Sequence, residues 1–292
     1  VSKYVSVPVC AIIIWLLVTK GSYKRVEKIF LMFTFAFFGY IISAFLARPD
    51  WSKVGSSLIS PSMSLDKGYI LSLIGLIGTT ITPYMQFYLQ SSIVDKRPSV
   101  EDYKYEKLDV YLGAFWGDAV SLFIIVCTAA TLYKAGISVD SAQQAAMALE
   151  PLAGRYAFIL FGAGLFGASV LAASVIPLST SYAVCEAFGW QSGVDCTMQE
   201  APIFFGIYTF MVAFASALIL IPGISLMKLI LITQRLAGVL SPVILIFMII
   251  LVNRKDIMGK HVNNKLQNII SITTVAFISC LTLILIASYF RN

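Results

Sequence analysis

Long apolar runs, separated by short polar connections, recur along the whole chain. Eight of them are long enough, or nearly long enough, to cross the apolar core of a bilayer, roughly 30 Å thick, as helices. The eight runs cover Val5–Thr19, Val26–Ala47, Gly68–Val94, Asp109–Tyr133, Arg155–Val184, Pro202–Ile221, Ser225–Val252 and Leu266–Phe290. The pattern predicts an all-α integral membrane protein that crosses the cell membrane several times.

The amino-terminal end of the sequence lies directly against the first apolar run. That run is short, follows Val1 without an initiator methionine, and lacks the basic region and cleavage site of a signal peptide. We therefore expect the chain to be a fragment from which earlier spans are missing.

The composition supports a membrane location and argues against other classes. Hydrophobic residues make up 59% of the 292 residues and charged residues only 12%, whereas a soluble domain carries about 25% charged residues. The net charge of +6 comes from Lys and Arg in short loops, so it indicates membrane orientation and not nucleic-acid binding. The five cysteines form no CxxC pair, so neither a zinc site nor a disulfide framework is indicated.

Basic residues are distributed unequally between the two sets of alternate loops. One set holds twelve: Lys20, Lys24, Arg25, Lys28, Lys96, Arg97, Lys104, Lys107, Arg254, Lys255, Lys260 and Lys265. The other set holds seven: Lys3, Arg48, Lys53, Lys67, Lys134, Arg155 and Arg291. Because basic loops tend to remain in the cytoplasm, the first set is predicted to be cytoplasmic. The loop around Gln191–Glu200 belongs to the same side, although it carries neither Lys nor Arg.

The third apolar run carries the residues with the most chemistry. Gly75, Gly78 and Pro83 cluster near its middle together with three threonines. Pro83 removes a backbone donor, and the carbonyl that it frees needs another partner inside a membrane. Broken helices of this kind surround substrates at the middle of the bilayer in transporters. An ordinary proline kink is the alternative, and the glycines and proline alone do not decide between the two.

Several segments resemble the Nramp family of divalent-metal transporters. They are the stretch from Arg25-Val-Glu-Lys through Ala47-Arg-Pro-Asp-Trp51 to Gly78-Thr-Thr-Ile-Thr-Pro-Tyr84 and Gln90-Ser-Ser-Ile-Val94, the run Ile232-Thr-Gln234-Arg-Leu-Ala-Gly-Val-Leu-Ser-Pro242, and the loop Asn253-Arg-Lys-Asp-Ile-Met-Gly259. The resemblance implies a LeuT-like inverted-repeat helical bundle, with residues 1–292 forming one transporter domain. It also implies that eight of about eleven spans are present, the fourth to the eleventh. The first three, with the family's Asp-Pro-Gly metal-binding motif, would then be absent from this chain.

The sequence departs from the family at two positions of the third run. Thr82 stands where typical members have Met, and Tyr84 stands where they have His. A thioether is a soft ligand that suits transition metals, whereas a hydroxyl is hard and leaves room for water, as Mg²⁺ prefers. The departures therefore resemble the magnesium-transporting branch of the family. A Tyr at position 84 also cannot titrate near neutral pH as a His can.

By this resemblance the metal site comprises a carbonyl near Thr79, the side chain of Thr82 and the amide of Gln234. We expect residues 78–82 to be non-helical, with Thr82 facing a cavity at the middle of the membrane that Gln234 shares. Tyr84 and Asp118 are candidates for the ion pathway, because ionisable or polar groups inside a span are often functional. For Asp118, a structural ion pair is the alternative, as an interhelical hydrogen bond is for Gln234.

Three functions remain open. The first is a secondary transporter of Mg²⁺ that also passes Mn²⁺, without obligatory proton coupling. The second is a proton-coupled importer of Mn²⁺ or Fe²⁺ of the ordinary Nramp type, and the third is a non-transporting membrane scaffold or sensor. No nucleophile with a neighbouring base appears, so we do not expect an enzyme, and no cofactor is expected. The expected partners are the divalent metal ion and the lipid bilayer, with no nucleic acid and with the oligomeric state left open.

Overall fold

A computed structural model describes residues 2–20, 35–64, 66–96, 99–139 and 141–290. Within these ranges the regular structure is entirely helical. The helices are α1 (Lys3–Thr19), α2 (Gly39–Leu46), α3 (Trp51–Ile59), α4 (Lys67–Thr80), α5 (Pro83–Lys96), α6 (Tyr103–Thr128), α7 (Ala142–Ala146), α8 (Glu150–Ala153), α9 (Ala157–Phe188), α10 (Pro202–Leu220), α11 (Leu226–Val252), α12 (Lys255–Met258) and α13 (Lys265–Phe290).

Six helical segments of the described chain are long and apolar enough to cross a membrane. They are Lys67–Asp95, which contains α4 and α5, Val100–Tyr133, Gly154–Phe188, Pro202–Leu220, Leu226–Val252 and Lys265–Ala287. They coincide with the last six predicted runs, which confirms the all-α, multi-pass membrane fold. The first predicted run is the shorter apolar helix α1, and part of the second run lies outside the described residues.

The chain divides into two compact units, and the first comprises Val1–Pro61 and Phe87–Gly223. Its largest fully buried side chains lie where α9 and α10 pack together. Tyr182 of α9 lies edge-on against Phe204 of α10, with ring centroids 4.8 Å apart, and Phe205 and Tyr208 complete the cluster. Large aromatic side chains supply much of the buried apolar area that stabilises such a helix pair.

A polar network joins α5 to α9 within this first unit. The Tyr182 hydroxyl donates to the carboxylate of Asp95, which lies near the end of α5. The same hydroxyl accepts the backbone N–H of Val194 at 3.0 Å, so the loop after α9 is held at this point as well. Tyr182 is only 2% exposed, and buried polar groups need hydrogen-bond partners. Its hydroxyl has both, because it donates one hydrogen bond and accepts another inside the first unit.

The second unit comprises Ser62–Gln86 and Ile224–Asn292, and it contains α4, the start of α5, α11, α12 and α13. Its apolar centre is formed by Ile70 and Ile74 of α4 with Leu281 and Leu285 of α13. α4 begins after an Asp66 cap, whose carboxylate accepts the backbone N–H groups of Gly68 and Tyr69. Such a cap satisfies donors that the first turn of a helix leaves free. The proposed single transporter domain over 1–292 stays a prediction.

Candidate functional site

The third predicted span is broken between two helices. α4 ends at Thr80, α5 begins at Pro83, and Ile81 between them has φ −111° and ψ 72°, outside the helical region. Proline lacks an N–H and disfavours helical geometry at the residue before it, and Thr82 lies outside both helices. The helix thus breaks immediately before Pro83, where the resemblance implies a metal site.

The break is shorter than the sequence predicts. Residues 78–82 were expected to be non-helical, but Gly78, Thr79 and Thr80 complete the last turn of α4. The hydroxyl of Thr79 donates to the Gly75 carbonyl at 3.0 Å, and the Ile81 N–H closes the turn on the Ile77 carbonyl at 2.7 Å. The non-helical part is therefore limited to Ile81 and Thr82.

Three carbonyls at the end of α4 are nevertheless left without helical partners. The last carbonyls of a helix lack an N–H four residues ahead, and Pro83 has none to give to Thr79. Such carbonyls carry partial negative charge and lie at the negative end of the helix dipole. The end of α4 at Gly78, Thr79 and Thr80 is thus electrostatically suited to a cation.

α4 and α11 touch through their backbones at this end. A Cβ atom on Gly78 would lie 2.1 Å from the carbonyl oxygen of Gln234 and 2.4 Å from the nitrogen of Gly238. A Cβ atom on Gly238 would lie 2.2 Å from the carbonyl oxygen of Ile74. Small residues permit this close approach of membrane helices. The contact brings the Gln234 side chain to the last turn of α4.

Gln234 and Thr79 meet at this contact, as the resemblance implies. The Thr79 hydroxyl lies 3.3 Å from the Oε1 atom of Gln234. A hydroxyl has one proton, and that proton already bonds to Gly75 at 3.0 Å. With the amide rotated by 180°, its NH₂ group would donate to Thr79 and its oxygen would be free for another partner. The pair places a side-chain amide beside the open carbonyls of α4.

Thr82 and Tyr84 lie on the other side of the break. Thr82 is buried, with only 9% of its surface exposed, and its carbonyl accepts the N–H of Met85 at 3.2 Å. A hydrogen bond joins the side chains of Thr82 and Tyr84, and Tyr84 lies in the first turn of α5. Thr79, Thr82, Tyr84 and Gln234 thus all belong to the second unit and to the surroundings of one break.

Ser241 is a residue of this site that the sequence did not single out. Its hydroxyl donates to the carbonyl of Ile81 at 3.0 Å and also lies 2.8 Å from the Ala237 carbonyl in its own helix. The side chain is only 1% exposed. A serine beside Pro242 was visible in the sequence, but its partner is 160 residues away.

A cavity of about 350 Å³ extends from the break along α11 and α13. Ile81 forms one part of its wall, and Asn263, Ser271 and Thr274 supply polar atoms to a lining that is otherwise apolar. Its described lining contains Ile81 but not Thr82 or Gln234, so the predicted shared cavity stays a prediction.

Two charged residues of the predicted spans lie in different surroundings. Asp118 is exposed on α6, in the first unit, and forms no ion pair with any described residue. The side chain of Arg235 instead packs over Gly75, where its Cγ would be 3.4 Å from a Cβ atom. The structural ion pair considered for Asp118 is therefore not formed within the described chain, and its role in an ion pathway stays a prediction.

The groups at the break differ in type from the side chains that usually bind transition metals in proteins. The described residues contain no group of three or more His, Cys, Asp or Glu side chains that could hold a metal ion. Hydroxyl, amide and backbone carbonyl oxygens surround the break instead, at Thr79, Thr82, Gln234 and the end of α4. Neutral oxygen atoms of this kind are hard donors.

Comparison with known proteins relates the chain to one transporter family. The family described as Natural resistance-associated macrophage protein-like, or Nramp, matches residues 1–288. A divalent metal cation transporter, MntH, of Clostridium acetobutylicum is 27% identical over 263 residues, covering 85% of this chain and 56% of that protein. MntH of Bacillus subtilis is 24% identical over 264 residues, covering 86% and 58% respectively. The chain thus spans a little over half the length of these relatives. With a family match across nearly all its residues and six membrane-length helices, the chain belongs to the Nramp family of multi-pass membrane proteins.

Proposed function

We propose that the protein containing this chain is a secondary transporter of divalent metal ions that binds its substrate at the break between α4 and α5. The observation that carries the proposal is the contact between Thr79 and Gln234, which places an amide beside the open carbonyls of a broken membrane helix. Broken helices of this kind bind substrates in secondary transporters. Relatives that share most of this chain are named divalent metal cation transporters, which supports the same substrate class.

We further propose that Mg²⁺ is the preferred ion and that Mn²⁺ is also carried. Thr82 supplies a buried hydroxyl at the break, and Thr79 and Gln234 also offer only oxygen or amide groups. Mg²⁺ prefers oxygen ligands and gives up its water reluctantly, whereas softer metals gain more from sulfur. An all-oxygen site without carboxylates at the break therefore favours a partly hydrated Mg²⁺ ion.

Three kinds of neutral group would hold the ion. The carbonyls that end α4 would face the cation, aided by the negative end of the helix dipole. Gln234 would add its amide oxygen, and Thr82 would contact the ion directly or through one of its waters. Because none of these groups carries a full charge, binding is reversible enough for release to the other side.

The test is ion uptake into liposomes that contain the full-length protein, with Mg²⁺- or Mn²⁺-sensitive dyes inside. Gln234→Ala and Thr79→Val should each reduce uptake at a given ion concentration. Thr80→Val is the matched control, because the Thr80 hydroxyl donates back to Leu76, at 3.0 Å, and forms no hydrogen bond with the described residues of α11. Absence of uptake by the unaltered protein would favour a scaffold or sensor. Equal losses in the two threonine variants would contradict the proposed site.

A further inference from the structure

The carbonyl of Ile81, in the break itself, accepts a hydrogen bond from another helix. In a continuous helix it would accept the N–H of Met85, but that N–H bonds to Thr82 at 3.2 Å instead. The Ile81 carbonyl instead accepts the Ser241 hydroxyl of α11, at 3.0 Å. Inside a membrane, a backbone carbonyl without a hydrogen-bond partner costs free energy. By bonding to the Ile81 carbonyl, the Ser241 hydroxyl therefore stabilises the broken conformation of the helix.

The same hydroxyl has a second acceptor within reach. Its oxygen lies 2.8 Å from the carbonyl of Ala237, one turn earlier in α11. Ala237 already accepts the backbone N–H of Ser241 as part of the helix, so this second bond is optional. A serine hydroxyl has one proton and can donate it to only one of the two carbonyls at a time. Ser241 can therefore release Ile81 by a rotation about one bond, and no group of its own loses its partner.

We propose that Ser241 is a positioning residue of ion binding, and that the Ile81 carbonyl is an ion ligand which Ser241 holds while the site is empty. When a divalent cation enters, the carbonyl turns to the ion and the Ser241 proton moves to Ala237. When the ion leaves, the hydroxyl returns to Ile81, so the Ile81 carbonyl is not left unpaired in the empty site. The inference rests on the proposed transport function and adds one ligand and one switching hydroxyl to it.

This arrangement predicts an unusual effect of removing the hydroxyl. In Ser241→Ala the Ile81 carbonyl has no partner in the ion-free state but is satisfied in the ion-bound state. The ion-free state is then selectively destabilised, so the KM for Mn²⁺ uptake should fall by about fivefold or more. The maximal rate should fall as well, because ion release must recreate the unpaired carbonyl. A role in folding alone would reduce the amount of active protein without lowering KM.

The experiment measures initial rates of Mn²⁺ uptake over a range of Mn²⁺ concentrations in liposomes with the full-length protein, and Mn²⁺ binding by calorimetry. Ser174→Ala is the matched control, because Ser174 is also buried, at 4% exposed, and its hydroxyl donates at 2.8 Å to Val170 in its own helix. That variant should keep the KM of the unaltered protein. Ser241→Cys, with a weaker donor of similar size, should give an intermediate KM and is the variant to use if Ser241→Ala does not fold.

The outcomes separate the two proposals. Uptake by the unaltered protein together with an unchanged or raised KM in Ser241→Ala or Ser241→Cys would overturn the role of Ser241 but leave the transport function intact. An equal fall of KM in Ser174→Ala would overturn it too. If the unaltered protein neither binds nor takes up Mn²⁺ or Mg²⁺, both proposals are overturned.

Discussion

The substitution Gly78→Ala, which adds one methyl group, tests the backbone contact between α4 and α11. A Cβ atom on Gly78 would lie 2.1 Å from the Gln234 oxygen and 2.4 Å from the Gly238 nitrogen, and neither backbone atom can rotate away. To restore an ordinary contact of 3.4 Å at the closest point, α4 and α11 must separate by about 1.3 Å in Gly78→Ala. The variant should therefore be less stable and should bind the ion less well.

The size of both effects follows from this displacement. Extra volume forced into a packed contact lowers the free energy of unfolding by about 1–3 kcal/mol. This cost exceeds the stability of up to about 1 kcal/mol that is gained when alanine replaces a glycine inside a helix. The same movement stretches the contact of Thr79 with Gln234, now 3.3 Å, beyond hydrogen-bonding distance. Because misplacement by about 1 Å can reduce a rate a hundredfold, we expect ion uptake to fall by about tenfold or more.

Gly75→Ala is the matched control one turn earlier in α4. Its Cβ atom would meet only the Arg235 Cγ, at 3.4 Å, and that flexible side chain can move. This variant should be as stable as the unaltered protein or slightly more so. The assays are thermal unfolding in detergent and Mn²⁺ uptake into liposomes. If Gly78→Ala unfolds at the same temperature as Gly75→Ala and transports as fast, the backbone contact is not part of the working site.

Three further predictions concern selectivity, coupling and the first unit. Thr82→Met adds a soft ligand, so uptake of Mn²⁺ or Cd²⁺ should gain relative to Mg²⁺; an active variant with an equal or stronger Mg²⁺ preference would count against the site. Ion flux should proceed without obligatory proton co-transport, because the chain's one histidine, His261, lies outside the predicted spans and Tyr84 does not titrate near neutral pH. A metal-dependent acidification of the liposome lumen that disappears in Asp118→Asn would refute this. Tyr182→Phe should lower stability by about 1.5–3 kcal/mol, because the Asp95 carboxylate loses its donor. Tyr208→Phe, at a buried hydroxyl with no partner among the described residues, should have little effect in the same thermal unfolding assay.

The sequence by itself determined the class of the protein and marked the candidate position of a helix break. Apolar runs of membrane length fix the spans because a helix rises by a constant amount per residue, and six such helices are present in the described chain. Pro83 marks a weak point in the third run because it lacks an N–H and clashes with the preceding turn. Proline alone did not decide that the helix breaks there, since Pro177 and Pro242 lie inside continuous helices. The third run and the one containing Gln234 also carry the family resemblance, which the match over residues 1–288 confirms.

The tertiary structure decided how far the break extends and which residues meet there. The threonine hydroxyls could have faced a cavity, but in the folded chain Thr79 and Thr80 belong to the last turn of α4 and their hydroxyls bond back to it; only Ile81 and Thr82 leave the helix. The partnership of Ser241 with Ile81 joins residues 160 positions apart, and no local pattern encodes such a pair. It depends on the close backbone approach of α4 and α11, which two glycines permit but which only their packing in three dimensions brings about.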